Sequence, residues 1–210
     1  MTIDPTRTDP VNVYKVMVGS IIPRPIAFVS TISPEGVLNL APFSFFTGAS
    51  ANPPVVCFCP MHNAEGIRKD TIHNIERRGE FVVNIVSEEF VEKMNITAAE
   101  FPPEVDEFAA SGLTPFPSDL IAVPRVKESH VSMECRLLQI VEFSRRPLGG
   151  SLIVGEVVLF HVDDAYIDNY RIDPDKLATV GRMAGNTYVR STDRFDMPRP
   201  NSKTSRILGH

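Results

Sequence analysis

The sequence contains no tryptophan and only three cysteines, Cys57, Cys59 and Cys135, among 210 residues. So few thiols suit a reducing compartment better than a disulfide framework, and we expect a cytoplasmic protein. No apolar run approaches the length of about 18 residues that a membrane-spanning helix needs. The first ten residues, MTIDPTRTDP, also lack the apolar core of a secretory signal. These absences argue against a secreted disulfide scaffold and against a membrane protein.

The chain also lacks an excess of positive charge, with a net charge of −5 and a pI near 5.6. Proteins that bind nucleic acid nonspecifically usually carry a basic excess, so we do not expect that role. No Gly-x-Gly-x-x-Gly, phosphate-loop or Gly-x-Ser-x-Gly motif is present. The five histidines and the Cys57-x-Cys59 pair show no metal-ligand spacing. We therefore predict no metal site and no side-chain nucleophile, and we expect the two sulfurs to pack in the core.

Proline and phenylalanine are plentiful instead, with 18 and 13 residues respectively. Dispersed prolines disfavour long helices and favour short strands with sharp connections. We predict an N-terminal arm over residues 1–12, one domain over 13–190 and a tail over 191–210 that either is disordered or lies on a partner subunit. Since no regular strand–helix alternation appears, the domain is expected to be an antiparallel barrel. At least six strands are predicted, the clearest being Ile26–Ile32, Val37–Ala41, Val55–Cys59, Glu80–Val86, Val131–Phe143 and Ser151–Val162.

One candidate binding site precedes the helix predicted over Asp70–Arg78. Arg68 and Lys69 stand directly before its N-terminus, and Thr71 lies in its first turn. Helix N–H groups, the helix dipole and two cations together favour a phosphate or carboxylate. The alternative is a solvated basic turn before a capped helix, and spacing alone does not decide between the two.

Three further stretches are candidates. Ser30 and Thr31 end the first strand and either supplement the anion site or are simply β-formers. Residues 39–47 contain Pro42, which cannot donate to a ladder, so strand pairing is expected to fail near it. The freed N–H groups there either bind a ligand or belong to a bulge at a barrel rim. His161, on the last long strand, either faces a ligand or is structural.

Six motifs, taken in order, resemble the flavin reductase-like family and most of all its flavoredoxin branch. The resemblance covers roughly residues 13–190. The matching residues are Pro23–Thr31 (PRPIAFVST), Asn39–Phe46 (NLAPFSFF), Asn52–Pro54 (NPP), Lys69–Thr71 with Asn74–Ile75, Glu80–Asn84 (EFVVN), and Gly155–Val157 with His161–Val162.

This resemblance implies a six-stranded antiparallel Greek-key split barrel with peripheral helices, acting as a homodimer with FMN near the subunit interface. Its phosphate is expected at Ser30, Thr31, Arg68, Lys69 and Thr71. The isoalloxazine edge is expected against the backbone of Ser44, Phe45 and Phe46, with His161 near the ring. The resemblance further implies that Asn39, Arg182 and Tyr188 bind the cofactor, Tyr188 by covering the flavin.

The implied function is that of an FMN-dependent oxidoreductase of the NAD(P)H:flavin reductase type. Such an enzyme passes electrons from NADH or NADPH through FMN to a small molecule or a redox partner protein. Two alternatives stay open: an FMN-binding electron carrier reduced by a partner protein, and a barrel that has lost flavin binding and serves as an interaction module. The sequence names neither the acceptor nor the preferred nicotinamide nucleotide.

Overall fold

A seven-stranded antiparallel sheet organises the chain in the computed structural model, which describes residues 1–198 and residue 200. The strands are β1 Ala27–Ile32, β2 Leu38–Phe43, β3 Phe46–Ala51, β4 Pro54–Phe58, β5 Glu80–Ile85, β6 Pro115–Phe116, β7 Arg125–Val126, β8 Val131–Glu142, β9 Ser151–Val162, β10 Ile167–Asp168, β11 Arg171–Ile172, β12 Val180–Arg182 and β13 Tyr188–Arg190. The helices are α1 Pro10–Ser20, α2 Asp70–Arg78, α3 Val91–Ile96, α4 Glu107–Ser111 and α5 Pro174–Leu177, with 3-10 turns at Glu88–Phe90 and Asp164–Tyr166.

The order of the strands shows how the sheet closes. It reads β2-β1-β5-β8-β9-β4-β3, so β2 and β3 lie on opposite edges. Only Ser44 and Phe45 separate these two strands along the chain. Because two residues cannot cross a flat sheet of seven strands, the sheet must curl until its edges approach each other. The predicted antiparallel split barrel is confirmed. The sheet has seven strands where six were expected, because the chain is interrupted at Ser44 and Phe45 and forms two strands there, β2 and β3.

The strand pairing of β2 ends close to Pro42, as the sequence predicted. Pro42 itself remains in β2, opposite Phe28 of β1, and pairing ends after Phe43. Proline is tolerated there because β2 is an edge strand and its outer side needs no donor. The chain then leaves one edge at Ser44 and joins the other at Phe46, opposite Phe58. The break expected near Pro42 is therefore confirmed, and it follows the proline by one residue.

The barrel interior is filled mainly by aromatic and β-branched side chains. Phe58 packs against Phe43 and Phe81 with ring centroids 5.2 and 5.5 Å apart. Helix α2 covers one end by burying Ile72 and Ile75 completely. The prediction that the sulfurs of Cys57 and Cys59 pack in the core was wrong. Both residues are only partly buried, because Val56 and Phe58 occupy the core-facing positions of β4, whereas Cys135 is fully buried.

Two helix caps differ from the prediction. The N-cap of helix α2 is Lys69, and not Asp70 or Thr71 as the sequence predicted. The Lys69 side chain accepts no hydrogen bond from the N–H groups of the first turn. Gly79 does end this helix in the left-handed region, with φ of 71°. The Ser87 hydroxyl makes no capping hydrogen bond. The residues after it, Glu88–Phe90, form a 3-10 turn where an α-helix was expected to start.

The segments that flank the sheet contain regular structure that the sequence did not predict. Helix α1 begins at Pro10, inside the expected arm, with the Asp9 carboxylate accepting a hydrogen bond from Val11 N. The glycine-punctuated stretch near residue 185 joins β12 and β13 into a hairpin. The tail proposed over 191–210 falls largely outside the described residues. No helix of the part that is described is long and apolar enough to cross a membrane.

A buried carboxylate fastens the loop over residues 117–124 to the outer face of the sheet. Glu134 of β8 has no exposed surface and accepts hydrogen bonds from Asp119 N, Leu120 N and His161 Nε2 at 2.7, 2.8 and 2.5 Å. Burial raises the pKa of Glu134, but these hydrogen bonds outweigh burial, and the net pKa lies below its ordinary value. The ionised carboxylate therefore contributes to folding stability.

We expect Glu134→Gln to lower the free energy of unfolding at pH 7 by about 2–3 kcal/mol, because buried donors lose their charged acceptor. Since the folded pKa is depressed, the contribution is present above the unfolded value of about 4.3 and is lost as pH falls through the folded pKa. Urea unfolding at pH 7 and pH 3 measures both effects. The exposed Glu92→Gln is the matched control, and equal stability of the two variants at pH 7 would contradict this role.

Candidate functional site

A cavity of about 410 Å³ lies between edge strand β2, the start of α2 and the segment after α3. This volume falls in the range of small-molecule sites. One wall comes from the segment that follows α3, which contributes Thr97, Ala98, Ala99, Glu100, Phe101 and Pro103. The other lining residues include Asn39, Phe43, Arg68, Lys69, Thr71 and Glu107.

The Asn39 side chain joins the elements that form this cavity. Its Oδ1 accepts hydrogen bonds from the hydroxyls of Thr31 on β1, at 3.0 Å, and Thr71 on α2, at 2.9 Å. Its amide nitrogen donates to Glu107 on α4. The Thr31 hydroxyl also accepts from Asn74 Nδ2 at 3.0 Å. The network fixes the Asn39 amide orientation, because only the oxygen can accept from two hydroxyls that each donate.

Glu107 brings a nearly buried carboxyl group to the cavity, with 7% of the residue exposed. Its Oε2 accepts from Leu40 N at 2.5 Å as well as from the Asn39 amide. Burial raises the pKa of Glu107 to about 7. The Leu40 and Asn39 hydrogen bonds and the charge of Lys69 oppose that rise, whereas the charge of Asp70 adds to it.

Two cations at the cavity are held by acidic partners. The Arg68 guanidinium forms a two-pronged pair with Glu76, and Lys69 Nζ lies 3.2 Å from Glu100 Oε1. Arg68 Nε is nevertheless buried and has no hydrogen-bond partner among the described residues. The α2 N-terminus beside it also lacks a side-chain cap. An anion here would meet an unused donor, two cations and free helix N–H groups.

The segment between β2 and β3 is held by Arg24, which is only 4% exposed. The Arg24 guanidinium donates to the carbonyls of Val18, Ile21 and Met183 at 2.6, 2.7 and 2.9 Å. It also donates from Nε to Ser44 Oγ at 3.2 Å and lies 5.7 Å from the centroid of the Phe45 ring. Arg24 therefore positions the backbone at which β2 and β3 separate.

The structure does not bring Ser30 or His161 to the cavity. Ser30 is fully buried, and its hydroxyl donates to Pro124 O at 2.6 Å on the other face of β1. His161 is bonded to Glu134 beneath the loop over 117–124. Strand alternation explains Ser30, because neighbouring residues on β1 point to opposite faces and Thr31 points toward Asn39. Thr31 is fully buried and does not line the cavity, so it contacts the site only through Asn39.

Arg182 and Tyr188 form a separate pair on the β12–β13 hairpin. The Arg182 guanidinium lies 4.5 Å from the centroid of the Tyr188 ring, and the Tyr188 hydroxyl donates to Asn95 Oδ1 at 3.0 Å. The backbones of Arg182 and Arg24 exchange hydrogen bonds at 2.8 and 2.9 Å. This hairpin thus contacts the same arginine that holds Ser44, while neither of its two side chains lines the cavity of about 410 Å³.

Sequence reasoning missed Glu107 and Arg24. Glu107 belongs to a stretch with several acidic residues, and nothing in the pattern shows that α4 packs on β2. The Asp106 N-cap was a usable sign, since it fixes the start of α4 and places the next residue in its first turn. Arg24 lay within the recognised Pro-Arg-Pro motif, but its carbonyl partners are distant in the sequence.

Known proteins resemble this chain in both fold and sequence. The crystal structure of nitrilotriacetate monooxygenase component B from Bacillus cereus has a TM-score of 0.89 and 39% identity, over 94% of this chain and 98% of that one. The crystal structure of the Pseudomonas fluorescens 2-nitrobenzoate 2-nitroreductase NbaA has a TM-score of 0.87 and 33% identity, over 96% of this chain and 98% of that one. A protein with a split barrel domain from Shewanella frigidimarina has a TM-score of 0.81 and 22% identity, over 95% of this chain and 100% of that one. At this identity the similarity supports the fold alone.

The family model described as flavin reductase like domain matches residues 18–174. This range contains all the elements that line the cavity, from β2 through α2 to α4. The resemblance predicted from the motifs is confirmed. The match spans well over half of the 210 residues, and the chain belongs to the flavin reductase-like family.

Proposed function

We propose that this protein is an FMN-binding oxidoreductase of the NAD(P)H:flavin reductase type. The observation that carries the proposal is the buried, unpartnered Arg68 Nε beside Lys69 and the uncapped N-terminus of α2. These groups fit the phosphate of a flavin mononucleotide, because charge-assisted hydrogen bonds and helix N–H groups both favour a phosphate anion. Similar proteins are named as a monooxygenase component and a nitroreductase, which supports a redox role.

In the proposed complex, the phosphate competes with Glu76 for Arg68 and with Glu100 for Lys69. Both pairs are partly exposed, so each is worth little in water and its exchange costs little. Thr71 and Asn39 form the cavity wall beneath the phosphate, and Thr31 supports that wall from below. Ser30 is left out of the proposed phosphate site because its hydroxyl is bonded on the other face of the strand.

The flavin ring is proposed to follow β2 toward Ser44, Phe45 and Phe46, because Phe43 continues the cavity wall in that direction. Arg24 holds this backbone in place, so its N–H groups are pre-oriented for the polar edge of the ring. The β12–β13 hairpin places Tyr188 and Arg182 on the Arg24 side, and Tyr188 remains our candidate for covering the ring. His161 is not included, since Glu134 occupies its Nε2.

Bound FMN supplies the redox chemistry, accepting a hydride from a nicotinamide nucleotide and passing electrons onward. The chain's own residues hold the phosphate, orient the ring edge and leave room for the donor. An electron carrier reduced by a partner protein is the alternative, and the test below separates it from the reductase. We also propose a cytoplasmic location, which the three unpaired cysteines favour.

A homodimer is proposed from a second surface. Phe46, Val55, Met133, Val157 and Phe160 line an apolar groove of about 440 Å³ on β3, β4, β8 and β9. Phe160 is 52% exposed in the single chain. Contiguous apolar surface of this kind indicates an interaction site, and a second copy would place its own groove against this one. Phe46 lies at both the groove and the proposed ring position, which supports a flavin near the interface.

Anaerobic addition of NADH, and separately of NADPH, to the FMN-loaded protein tests the reductase. We expect at least one nucleotide to abolish the oxidised flavin absorbance at about 450 nm. The rate constant of this reduction is expected to be about 1–1,000 per second. Bleaching by dithionite with no response to either nucleotide would leave the carrier as the better account. Protein that takes up no FMN would contradict both.

Arg68→Ala and Lys69→Ala test the phosphate site. Each variant is expected to weaken FMN binding by about 1.5–3 kcal/mol, because a charge-assisted contact is lost. Quenching of flavin fluorescence gives the dissociation constants. Arg77→Ala removes the same charge from an exposed position of the same helix and serves as the control. Affinities that match that of Arg77→Ala in both variants would remove the phosphate from this cavity.

Phe160→Lys tests the dimer, because a cation in the groove must be desolvated when two apolar surfaces meet. Sedimentation velocity is expected to show a dimer for the native protein and a monomer for this variant. Phe116→Lys is the control, since Phe116 is also exposed but lies outside the groove, against Arg125. A native protein that sediments as a monomer at micromolar concentration would contradict the dimer.

A further inference from the structure

Glu107 has one carboxyl oxygen that the protein leaves free. Both of its hydrogen bonds, from Leu40 N and the Asn39 amide, end on Oε2. Within residues 1–198 and 200, no donor is bonded to Oε1, and that atom is not among the fully buried unsatisfied ones. The residue lines the cavity of about 410 Å³ and also a second one of about 200 Å³. Oε1 is therefore available to a ligand or to a proton.

The surroundings of Glu107 make its charge sensitive to an incoming anion. Asp70 raises the pKa of its carboxyl and Lys69 lowers it, so the two nearest charges oppose each other. A phosphate that engages Lys69 and Arg68 adds negative charge on the same side. An ionised Glu107 then faces that phosphate, Asp70 and Glu100 together, which is unfavourable at low dielectric. The charged and titratable groups that line the two cavities with it are Arg68, Lys69, Asp70, Glu100, Glu35 and His73.

We propose that Glu107 couples flavin phosphate binding to proton uptake: its neutral carboxyl group accommodates the phosphate and donates a hydrogen bond from Oε1, whereas its ionised form opposes the phosphate. This inference rests on the proposed FMN site. It makes Glu107 a residue that sets affinity for the phosphate end and leaves the ring contacts unaffected. One proton passes from solvent to Glu107 when FMN binds above neutral pH, and it returns to solvent on release.

The ionisation of Glu107 sets the sign of its effect on FMN affinity as pH changes. Near pH 6 most Glu107 is neutral, and at pH 8 most of it is ionised, because its pKa is about 7. Binding that requires the neutral form should weaken by about tenfold over this range, since each pH unit above the pKa costs about a factor of ten. The phosphate's own second ionisation, near pH 6, adds negative charge as pH rises and would strengthen binding to the cations. The two effects therefore have opposite signs.

The experiment measures dissociation constants of FMN and riboflavin at pH 6, 7 and 8 for the native protein, Glu107→Gln and Glu104→Gln. Glutamine keeps an acceptor for Leu40 N but cannot ionise. Glu104 is exposed, lies three residues before Glu107 in the segment that precedes α4, lines neither cavity and controls for net charge. Relative to Glu107→Gln at the same pH, we expect FMN affinity to fall about tenfold from pH 6 to pH 8 in the native protein and in Glu104→Gln. In Glu107→Gln it should stay constant or rise, and riboflavin affinity should not change with pH in any of the three.

A pH dependence of FMN affinity that is the same in the native protein and in Glu107→Gln would overturn this inference while the FMN site stands. Absence of FMN binding at every pH would instead contradict the proposed function itself. If Glu107→Gln does not fold, calorimetry of the native protein at pH 7.5 in two buffers of different ionisation enthalpy decides. Proton uptake with FMN and none with riboflavin supports the proposal, and proton release with FMN overturns it, since cations alone would release a proton from the phosphate.

Discussion

The hydrogen bonds of the Asn39 side chain hold the candidate site together. One amide group links β1 through Thr31, α2 through Thr71 and α4 through Glu107. These three elements are far apart in the sequence. The Asn39 side chain itself lines the cavity, α2 contributes a helix N-terminus and α4 contributes an ionisable carboxyl, while β1 supports Asn39 through Thr31. Loss of the amide would leave two hydroxyls and a carboxyl without their shared partner, so the cost would exceed that of one hydrogen bond.

The charges around this network almost cancel within the free chain. Arg68 is paired with Glu76, and Lys69 with Glu100, while Glu107 has a pKa near neutrality. Such an arrangement keeps two cations at the cavity without leaving a strong bare positive patch on an acidic protein. An anionic ligand enters by exchanging partners, and its net affinity is the difference between new and lost contacts. This balance limits the net affinity that charge alone can give to an anionic ligand.

Much of the fold and of the candidate site could be predicted from the sequence, because the signals are local. The long strands Val131–Glu142 and Ser151–Val162 show β-rich runs, and Gly79 ends helix α2 as predicted. The cations before α2 are adjacent in the sequence and remain adjacent in the fold. The break in the second strand was predicted near Pro42 and follows it by one residue, but only the tertiary position of β2, at a sheet edge, explains why Pro42 itself stays paired.

The residues that were missed depend on long-range packing. Arg24 acts through carbonyls that include Met183, 159 positions away, and Glu107 contacts β2 across 67 positions. His161 was expected beside the ring because it belongs to a motif, but the structure pairs it with Glu134, and no spacing shows which face of β9 a loop will cover. Motifs therefore identify the segments that form a site more reliably than the direction in which each side chain points.

A crystal structure of the protein grown with FMN tests the central claim most directly. Our account predicts the phosphate at the N-terminus of α2, within about 3 Å of Arg68 Nε, as expected for a charge-assisted hydrogen bond. It also predicts that Lys69 turns from Glu100 toward the phosphate. A flavin bound elsewhere, with Arg68 Nε still unpartnered and both ion pairs intact, would contradict the account.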